Sequence, residues 1–219
     1  MTTFLYIFSD ADISICTTYC FKEEGCMGIS AYQEKLIKIV IDNSYGHTWK
    51  EAVGEWEIID CIEDGSRCKS CVCEKEELRY LYRIHNRLTD RYLYPIGSSC
   101  IRKFEREDLQ DKTSIAEGMF KLLHAVEKNE YLKLSSELFS RKLLRALYEK
   151  GAFEANSYNN YDASSDYKFM LKMFNMRNKS KITPLQDKKI KAILLNSIKP
   201  FLQNELKNKV IRYCLLMLG

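Results

Sequence analysis

The chain has 219 residues, of which 46% are apolar and 29% are charged, a balance typical of a globular protein and not of a disordered one. Three prolines and nine glycines are few for this length, which favours long helices over an all-β sandwich. The net charge of +4 is unevenly distributed, since residues 168–212 carry twelve Lys or Arg and two acids, whereas the rest carries 22 basic and 28 acidic groups. A basic end on an acidic body indicates an anionic partner, nucleic acid being one possibility, with a solvated lysine surface as the alternative.

The N-terminal half predicts short elements of both kinds. Residues 4–9 are rich in aromatic and β-branched side chains and predict a strand, and residues 31–42 carry apolar residues at helical spacing. A short helix is expected near Trp49, and residues 56–64 alternate as a strand does.

The nine cysteines and the absence of long apolar runs indicate in which cellular compartment the protein is expected. No apolar run approaches the ~18 residues of a membrane helix, and the N-terminus lacks the basic start of a secretory signal. We therefore expect a cytoplasmic protein without a membrane partner, in which disulfides rarely persist. Three cysteines follow the first strand at a spacing unlike a common zinc knuckle, and we interpret them as free thiols, with a second metal site as the alternative: Cys16, Cys20 and Cys26.

Four further cysteines surround a predicted β-hairpin at residues 79–96. Three of them precede the hairpin and one follows it: Cys68, Cys71, Cys73 and Cys100. Zinc binds four soft or borderline ligands in a tetrahedron, and a hairpin returns the chain so that both of its ends contribute. We predict that Cys100 opens a short helix, residues 101–106, whose N-terminus stabilises a thiolate. Knuckle, hairpin and ligand-bearing helix in this order predict a treble-clef-like module with one zinc ion.

The fourth ligand is defined less well than the other three. Cys68 is our choice because it is the nearest thiol, whereas His85 on the first hairpin strand and Cys61 are alternatives. The alternative to a metal site is a set of unrelated reduced thiols. Neither a deaminase signature nor His-Glu-x-x-His is present, so we expect a closed, structural zinc and no catalytic residues.

The C-terminal half is predicted to be helical from residue 113 onward. Ser114 and Glu117 have the spacing of a capping box, and Gly151 is expected to end a helix. Residues 153–165 predict a loop, and a helix starting at Thr183-Pro184 is expected to kink or stop at Pro200.

The segment around Cys71-x-Cys73 and Pro95-Ile96-Gly97-Ser98-Ser99-Cys100-Ile101-Arg102-Lys103-Phe104 resembles a family of small phage and prophage proteins of Gram-positive bacteria. The resemblance extends from about Trp49 to about Arg106. With one zinc module and a helical tail, the chain also resembles phage-encoded anti-CRISPR metalloproteins that inhibit type II Cas9 effectors.

This resemblance implies a Cas9-type effector as the partner, the bacterial host cytoplasm as the location, and no enzymatic activity or small-molecule substrate. It implies inhibition by obstructing the loading of target DNA. The alternative is a phage nucleic-acid-binding zinc protein, in which the basic residues 168–212 contact phosphates and the hairpin stacks on bases. The expected fold is α+β and mostly helical, with an α/β region at 1–108 that contains the zinc module (about 56–106) and a helical domain at 109–219.

Overall fold

The computed structural model describes residues 29–207 and the backbone of residues 213–214. It has the predicted α+β architecture, with an antiparallel sheet in the N-terminal half and helices in the C-terminal half. Outside the described residues lie the predicted strand 4–9 and three cysteines: Cys16, Cys20 and Cys26. Within the described part, no helix is long and apolar enough to cross a membrane.

The N-terminal half places a three-stranded sheet between short helices. Its elements are, in chain order, α1 (Ala31–Asp42), α2 (Trp49–Ala52), β1 (Trp56–Glu63), β2 (Tyr80–Asn86), β3 (Tyr92–Ile96) and α3 (Ser98–Arg102). Helix α1 buries Leu36, Ile37 and Val40 on one face, as the spacing of its apolar residues predicts. Thr48 and Glu51 form a capping box that begins α2.

The sheet has two distinct faces. Strand β2 pairs antiparallel with both β1 and β3, and the two residues Tyr213–Cys214 (β4) pair with the other side of β1. Because neighbouring side chains of a strand point to opposite faces, Ile84 and Leu93 are buried whereas Arg83 and Tyr92 are exposed. The predicted hairpin is therefore confirmed, with one apolar and one solvent-facing side.

The C-terminal half is helical, as predicted. Its helices are α4 (Glu107–Glu127), α5 (Arg141–Glu149), α6 (Ala163–Asn175), α7 (Pro184–Ile193), a π turn (Leu194–Ile198) and α8 (Lys199–Lys207). Gly151 follows α5 with a φ of 79°, a conformation that glycine adopts without strain, and so ends the helix as predicted. Thr183 and Gln186 form the capping box at the start of α7.

The sheet module contacts the helices through α4. The apolar core runs without interruption from the inner face of the sheet into the helices. The Tyr82 hydroxyl donates to the Thr113 carbonyl at 3.4 Å, and Glu63 Oε2 lies 2.6 Å from His124 Nε2. Arg106 donates to the Val53 carbonyl at 2.9 Å and so fastens the end of the module to the start of β1. The division into two domains near residue 108 stays a prediction.

Two local predictions are wrong, and a third is met only in part. Helix α4 begins at Glu107, so Ser114 lies inside it and is not a cap, because Leu109 and Thr113 are buried and extend its apolar face toward the N-terminus. The helix predicted at 101–106 begins at Ser98 and ends at Arg102, so Cys100 is inside it. The helix predicted to kink or stop at Pro200 does not stop there, because a π turn precedes the proline and α8 follows it. A kink at this position stays a prediction.

Candidate metal centre

The first side of the candidate centre is a tight turn that carries Cys71 and Cys73. The Cys71 N–H donates to the Lys75 carbonyl at 2.8 Å, and the Glu74 N–H donates to the Cys71 carbonyl at 2.7 Å. The Val72 N–H donates to the Pro95 carbonyl at 2.9 Å, which ties this turn to the end of β3. Both cysteines of the turn therefore lie beside the base of the hairpin, where β3 ends.

The second side is helix α3, which follows β3 directly. Cys100 is its third residue, and the Cys100 N–H donates to the Gly97 carbonyl at 2.9 Å. The Gly97 N–H points at Cys71 Sγ, 3.5 Å away. A Cβ at position 97 would lie 2.7 Å from Leu78 Cδ2, so any larger residue there has to displace the end of the Leu78 side chain.

The three sulfur atoms form one buried group. Cys73 Sγ and Cys100 Sγ are 3.4 Å apart, and Cys71 Sγ and Cys100 Sγ are 3.6 Å apart. Tetrahedral zinc with Zn–S bonds of about 2.3 Å separates its sulfur ligands by about 3.8 Å, so these distances suit one ion bound to all three. The side chains are at most 4% exposed, and the three residues have ligand atoms within 4.8 Å of one another. The cluster can hold a metal ion.

The proton distribution among the thiols agrees with this chemistry. A hydrogen bond from the Cys100 thiol lowers the pKa of Cys71 to about 5, with further help from the Cys73 and Gly97 N–H groups against the effect of burial. The same hydrogen bond raises the pKa of Cys100, and burial adds to the increase. The contact between the two thiols therefore favours loss of one proton from the pair, and a bound cation would displace the other.

Cys68, the fourth predicted ligand, lies outside this group. Its side chain is exposed, and its sulfur lies 3.4 Å from the Ser66 carbonyl oxygen. Residues 64–70 form no helix or strand, so spacing alone did not indicate where the thiol would point. Three of the four predicted ligands are therefore brought together, and the fourth is not.

The two alternatives for the fourth ligand also lie elsewhere. His85 binds Glu57 Oε1 through Nδ1 at 3.1 Å and Asp90 Oδ1 through Nε2 at 2.8 Å, so both ring nitrogens have partners. Cys61 is buried opposite Tyr82 in the sheet, where burial raises the pKa of its thiol. Neither belongs to the sulfur group.

The outer face of the hairpin is a second feature of this module. The Arg83 guanidinium lies over the Tyr94 ring, 5.0 Å from its centroid. His85 stacks on Tyr92, with centroids 4.7 Å apart. Tyr92 is 56% exposed and Tyr94 39%.

No protein-family model matches the chain, and neither a curated protein nor a solved structure is significantly similar to it. The resemblance to phage proteins therefore stays a prediction. What the module does has to follow from its own residues.

Proposed function

We propose that Cys71, Cys73 and Cys100 bind one zinc ion that acts structurally. Soft thiolates at these distances favour zinc among the common cellular cations. The ligands are at most 4% exposed, so a substrate has no path to an open coordination position. The ion joins the chain before the hairpin to the chain after it, and its role is to fix the base of the hairpin.

Cys68 is the proposed fourth ligand. It lies three residues before Cys71, and its one described hydrogen bond is the weak contact with Ser66. Little has to be broken to turn this thiol toward the ion. Cys68→Ser should reduce zinc retention, with Cys61→Ser as the control that keeps zinc. If Cys68→Ser retains full zinc, the ligand comes from another residue, and the thiols of Cys16, Cys20 and Cys26 are the next to be replaced.

The function that we propose is binding of a partner protein through the outer face of the hairpin. One observation carries this proposal: three buried cysteines lie together at the base of the hairpin, and Tyr92, Tyr94 and Arg83 are exposed on its outer face. Tyr and Arg are the residue types that contribute most to protein interfaces, because they are large and partly polar.

The charges on this face favour a protein over a nucleic acid. Glu57 and Asp90 both contact His85, next to Arg83 and the two tyrosines. Their carboxylates repel phosphates and leave the face nearly neutral. Mixed charges around aromatic anchors are typical of the rim of a protein interface.

A type II Cas9 effector is the partner that the resemblance to phage proteins implies. Cas9 holds nucleic acid in positively charged channels, and a protein seated at a channel entrance obstructs target DNA without touching the nuclease centres. Guide RNA binding should then survive while target binding is lost. The protein would act by occupancy and not as an enzyme, in the cytoplasm of the bacterial host.

The test is a mobility-shift assay with several Cas9 orthologues, guide RNA and labelled target. Salt of about 200 mM suppresses non-specific binding of the protein to DNA. The protein should abolish target binding by at least one orthologue at micromolar concentration, and Tyr92→Ala with Tyr94→Ala should weaken inhibition at unchanged zinc content and Tm. Tyr32→Ala with Tyr45→Ala is the matched control, since both rings are exposed but lie off the hairpin. Failure against every orthologue would contradict the Cas9 assignment.

A further inference from the structure

The loop between α5 and α6 displays two tyrosines to solvent. Tyr158 is 95% exposed and Tyr161 is 75% exposed, the former more than any other exposed large apolar or aromatic residue described. Asn160 and Tyr161 have φ values of 53° and 59°, the left-handed region that a residue with a side chain seldom adopts. Such strain persists only where the surroundings hold the backbone in place.

A buried polar network holds this loop. Asn159 is 4% exposed and donates to the Glu154 carbonyl and to Asp166 Oδ2, both at 2.8 Å. Its own Oδ1 accepts from the Asn156 N–H at 2.8 Å, and Lys189 Nζ lies 2.9 Å from Asp166 Oδ1. The loop is thus fastened to both α6 and α7, and its two tyrosines are presented at low conformational entropy.

The helices to which the loop is fastened carry excess positive charge. Residues 154–191 contain eight Lys or Arg and four acids. Three of these acids are engaged locally: Asp166 contacts Lys189, Asp187 contacts Lys191, and Asp162 caps α6. Besides Lys168, five exposed cations of residues 154–191 have no carboxylate within ion-pair distance: Lys172, Arg177, Lys179, Lys181 and Lys188, of which Lys179 contacts two backbone carbonyls.

Lys168 adds a further cation close to the loop. It lies one turn into α6, two residues from Asp166, and its ammonium contacts the Ser164 hydroxyl at 3.4 Å. Hydrogen bonds from Ser164, with help from the Lys168 charge, lower the pKa of the nearby Asp162 carboxyl. Exposed aromatic rings beside unpaired cations are the two components of a surface that binds single-stranded nucleic acid, because bases stack on the rings while phosphates contact the cations. The outer face of the hairpin lacks the second component, because its cation Arg83 lies near two carboxylates, Glu57 and Asp90.

We propose that this surface, defined by Tyr158, Tyr161 and the exposed cations of α6 and α7, binds single-stranded nucleic acid without strong sequence preference. The proposal does not rest on the proposed function, since it concerns another surface and another class of partner. Bases stack on Tyr158 and Tyr161, and phosphates lie along Lys168 and the neighbouring cations.

Fluorescence anisotropy of a labelled oligothymidylate of about 20 nucleotides tests the proposal with the full-length protein. At about 50 mM salt we expect binding at protein concentrations of about 10 μM or below, and weaker binding as salt increases, with a log–log slope of about −2 or steeper for three or more phosphates. Absence of binding at this salt concentration would overturn the proposal.

Two pairs of variants separate stacking from charge. Tyr158→Ala with Tyr161→Ala should weaken binding about tenfold or more, because stacking on each ring contributes. Lys168→Gln with Lys172→Gln should reduce the salt slope by about one or more. The controls, Tyr32→Ala with Tyr45→Ala and Lys38→Gln with Lys50→Gln, make the same chemical changes in the N-terminal half and should change neither quantity.

Two results would overturn the proposal. One is unchanged affinity of the tyrosine variant for the oligonucleotide at unchanged Tm. The other is equal affinity of the wild type for duplex and single strand, since a duplex offers no free bases to the rings. A tyrosine variant that loses Cas9 inhibition but keeps oligonucleotide binding would assign the loop to a protein partner instead. Loss of oligonucleotide binding with intact Cas9 inhibition would support the proposal that the loop binds nucleic acid.

Discussion

The sheet module and the C-terminal helices present their aromatic residues by different means. In the module, three buried cysteines lie at the base of a hairpin whose outer face carries Arg, His and Tyr together with two carboxylates. In the helices, Asn159, Asp166 and Lys189 hold a loop whose two tyrosines are exposed. The first arrangement offers a site that could hold a metal ion, whereas the second rests on hydrogen bonds and an ion pair.

The two regions are held by different interactions. In the proposed function, the zinc ion links the chain before the hairpin to the chain after it and so contributes directly to the folding of the module. The polar network of the helical half holds one loop against two helices that bury apolar residues of their own. Substitutions in the two regions should therefore have separable effects on zinc content and on stability.

The largest effect is expected from loss of a zinc ligand. Structural zinc contributes about 10 kcal/mol or more of apparent binding energy, which exceeds the stability of most domains. Cys100→Ser should abolish zinc binding and the tertiary signals of the hairpin, while most of the far-UV helical signal survives. Cys61→Ser, in a thiol that is equally buried but outside the cluster, should lower Tm and leave the zinc content at the wild-type value. Full zinc retention by Cys100→Ser would contradict the assignment.

Removal of the buried carboxylate in the helical half should have the next largest effect. Asp166→Ala leaves Asn159 and Lys189 without their partner, and we expect a loss of about 2 kcal/mol, less than a fully buried pair would cost because the Lys189 side chain is 39% exposed. Chemical denaturation should show this loss at unchanged zinc content. Asp187→Ala, which breaks the exposed pair with Lys191, should change the free energy of unfolding by about 0.5 kcal/mol or less. Zinc loss in Asp166→Ala would show that the two regions are not separable.

The stability of the module is expected to depend on pH through the carboxyl group of Glu55. Burial acts to raise the pKa of its carboxyl, but hydrogen bonds from Asn86 and from the Tyr45 and Gly46 N–H groups outweigh burial and hold the pKa below its usual value. Its stabilising contribution is therefore present above the unfolded-state pKa of about 4.3 and is lost as pH falls through the lower, folded-state pKa.

Glu55→Gln should lower the free energy of unfolding by about 2 kcal/mol at neutral pH, because charged hydrogen bonds are replaced by neutral ones. The difference from the wild type should shrink below about pH 4, where the wild-type carboxyl takes up a proton. Urea denaturation of both proteins across this pH range measures it. A difference that is constant with pH would show that the charge of Glu55 is not the cause.

The smallest effect is expected at Gly97. A methyl group there lies 2.7 Å from the end of the Leu78 side chain, so this side chain has to move. We expect the movement to loosen the contact between the turn and α3. Gly97→Ala should therefore destabilise the module by about 1 kcal/mol and speed zinc transfer to a chelator. Gly54→Ala is the control, because nothing lies within 4 Å of the added Cβ. Equal rates of zinc transfer to the chelator in the two variants would show that Gly97 does not stabilise the zinc site.

The sequence predicts most of the elements because their signals are local. The apolar spacing of α1, the capping box at Thr183 and the alternation in the hairpin each involve neighbouring residues. The start of α4 was missed because its acidic first turn resembles a linker, although Leu109 and Thr113 extend its buried face.

The candidate sites depend on contacts that are distant in the chain. Cys71, Cys73 and Cys100 were recognisable because a hairpin brings its two ends together. The orientation of Cys68 depends on an irregular loop that no pattern describes. The network of Asn159, Asp166 and Lys189 joins three elements, and no spacing rule connects them.

The central claim is that Cys71, Cys73 and Cys100 bind one zinc ion together. X-ray absorption at the zinc edge, combined with elemental analysis of freshly purified protein, tests it most directly. We predict about one zinc per chain in a four-coordinate site, with at least three sulfur ligands at about 2.3 Å. Protein that is folded and contains no zinc, or zinc surrounded mainly by oxygen and nitrogen, would contradict the claim.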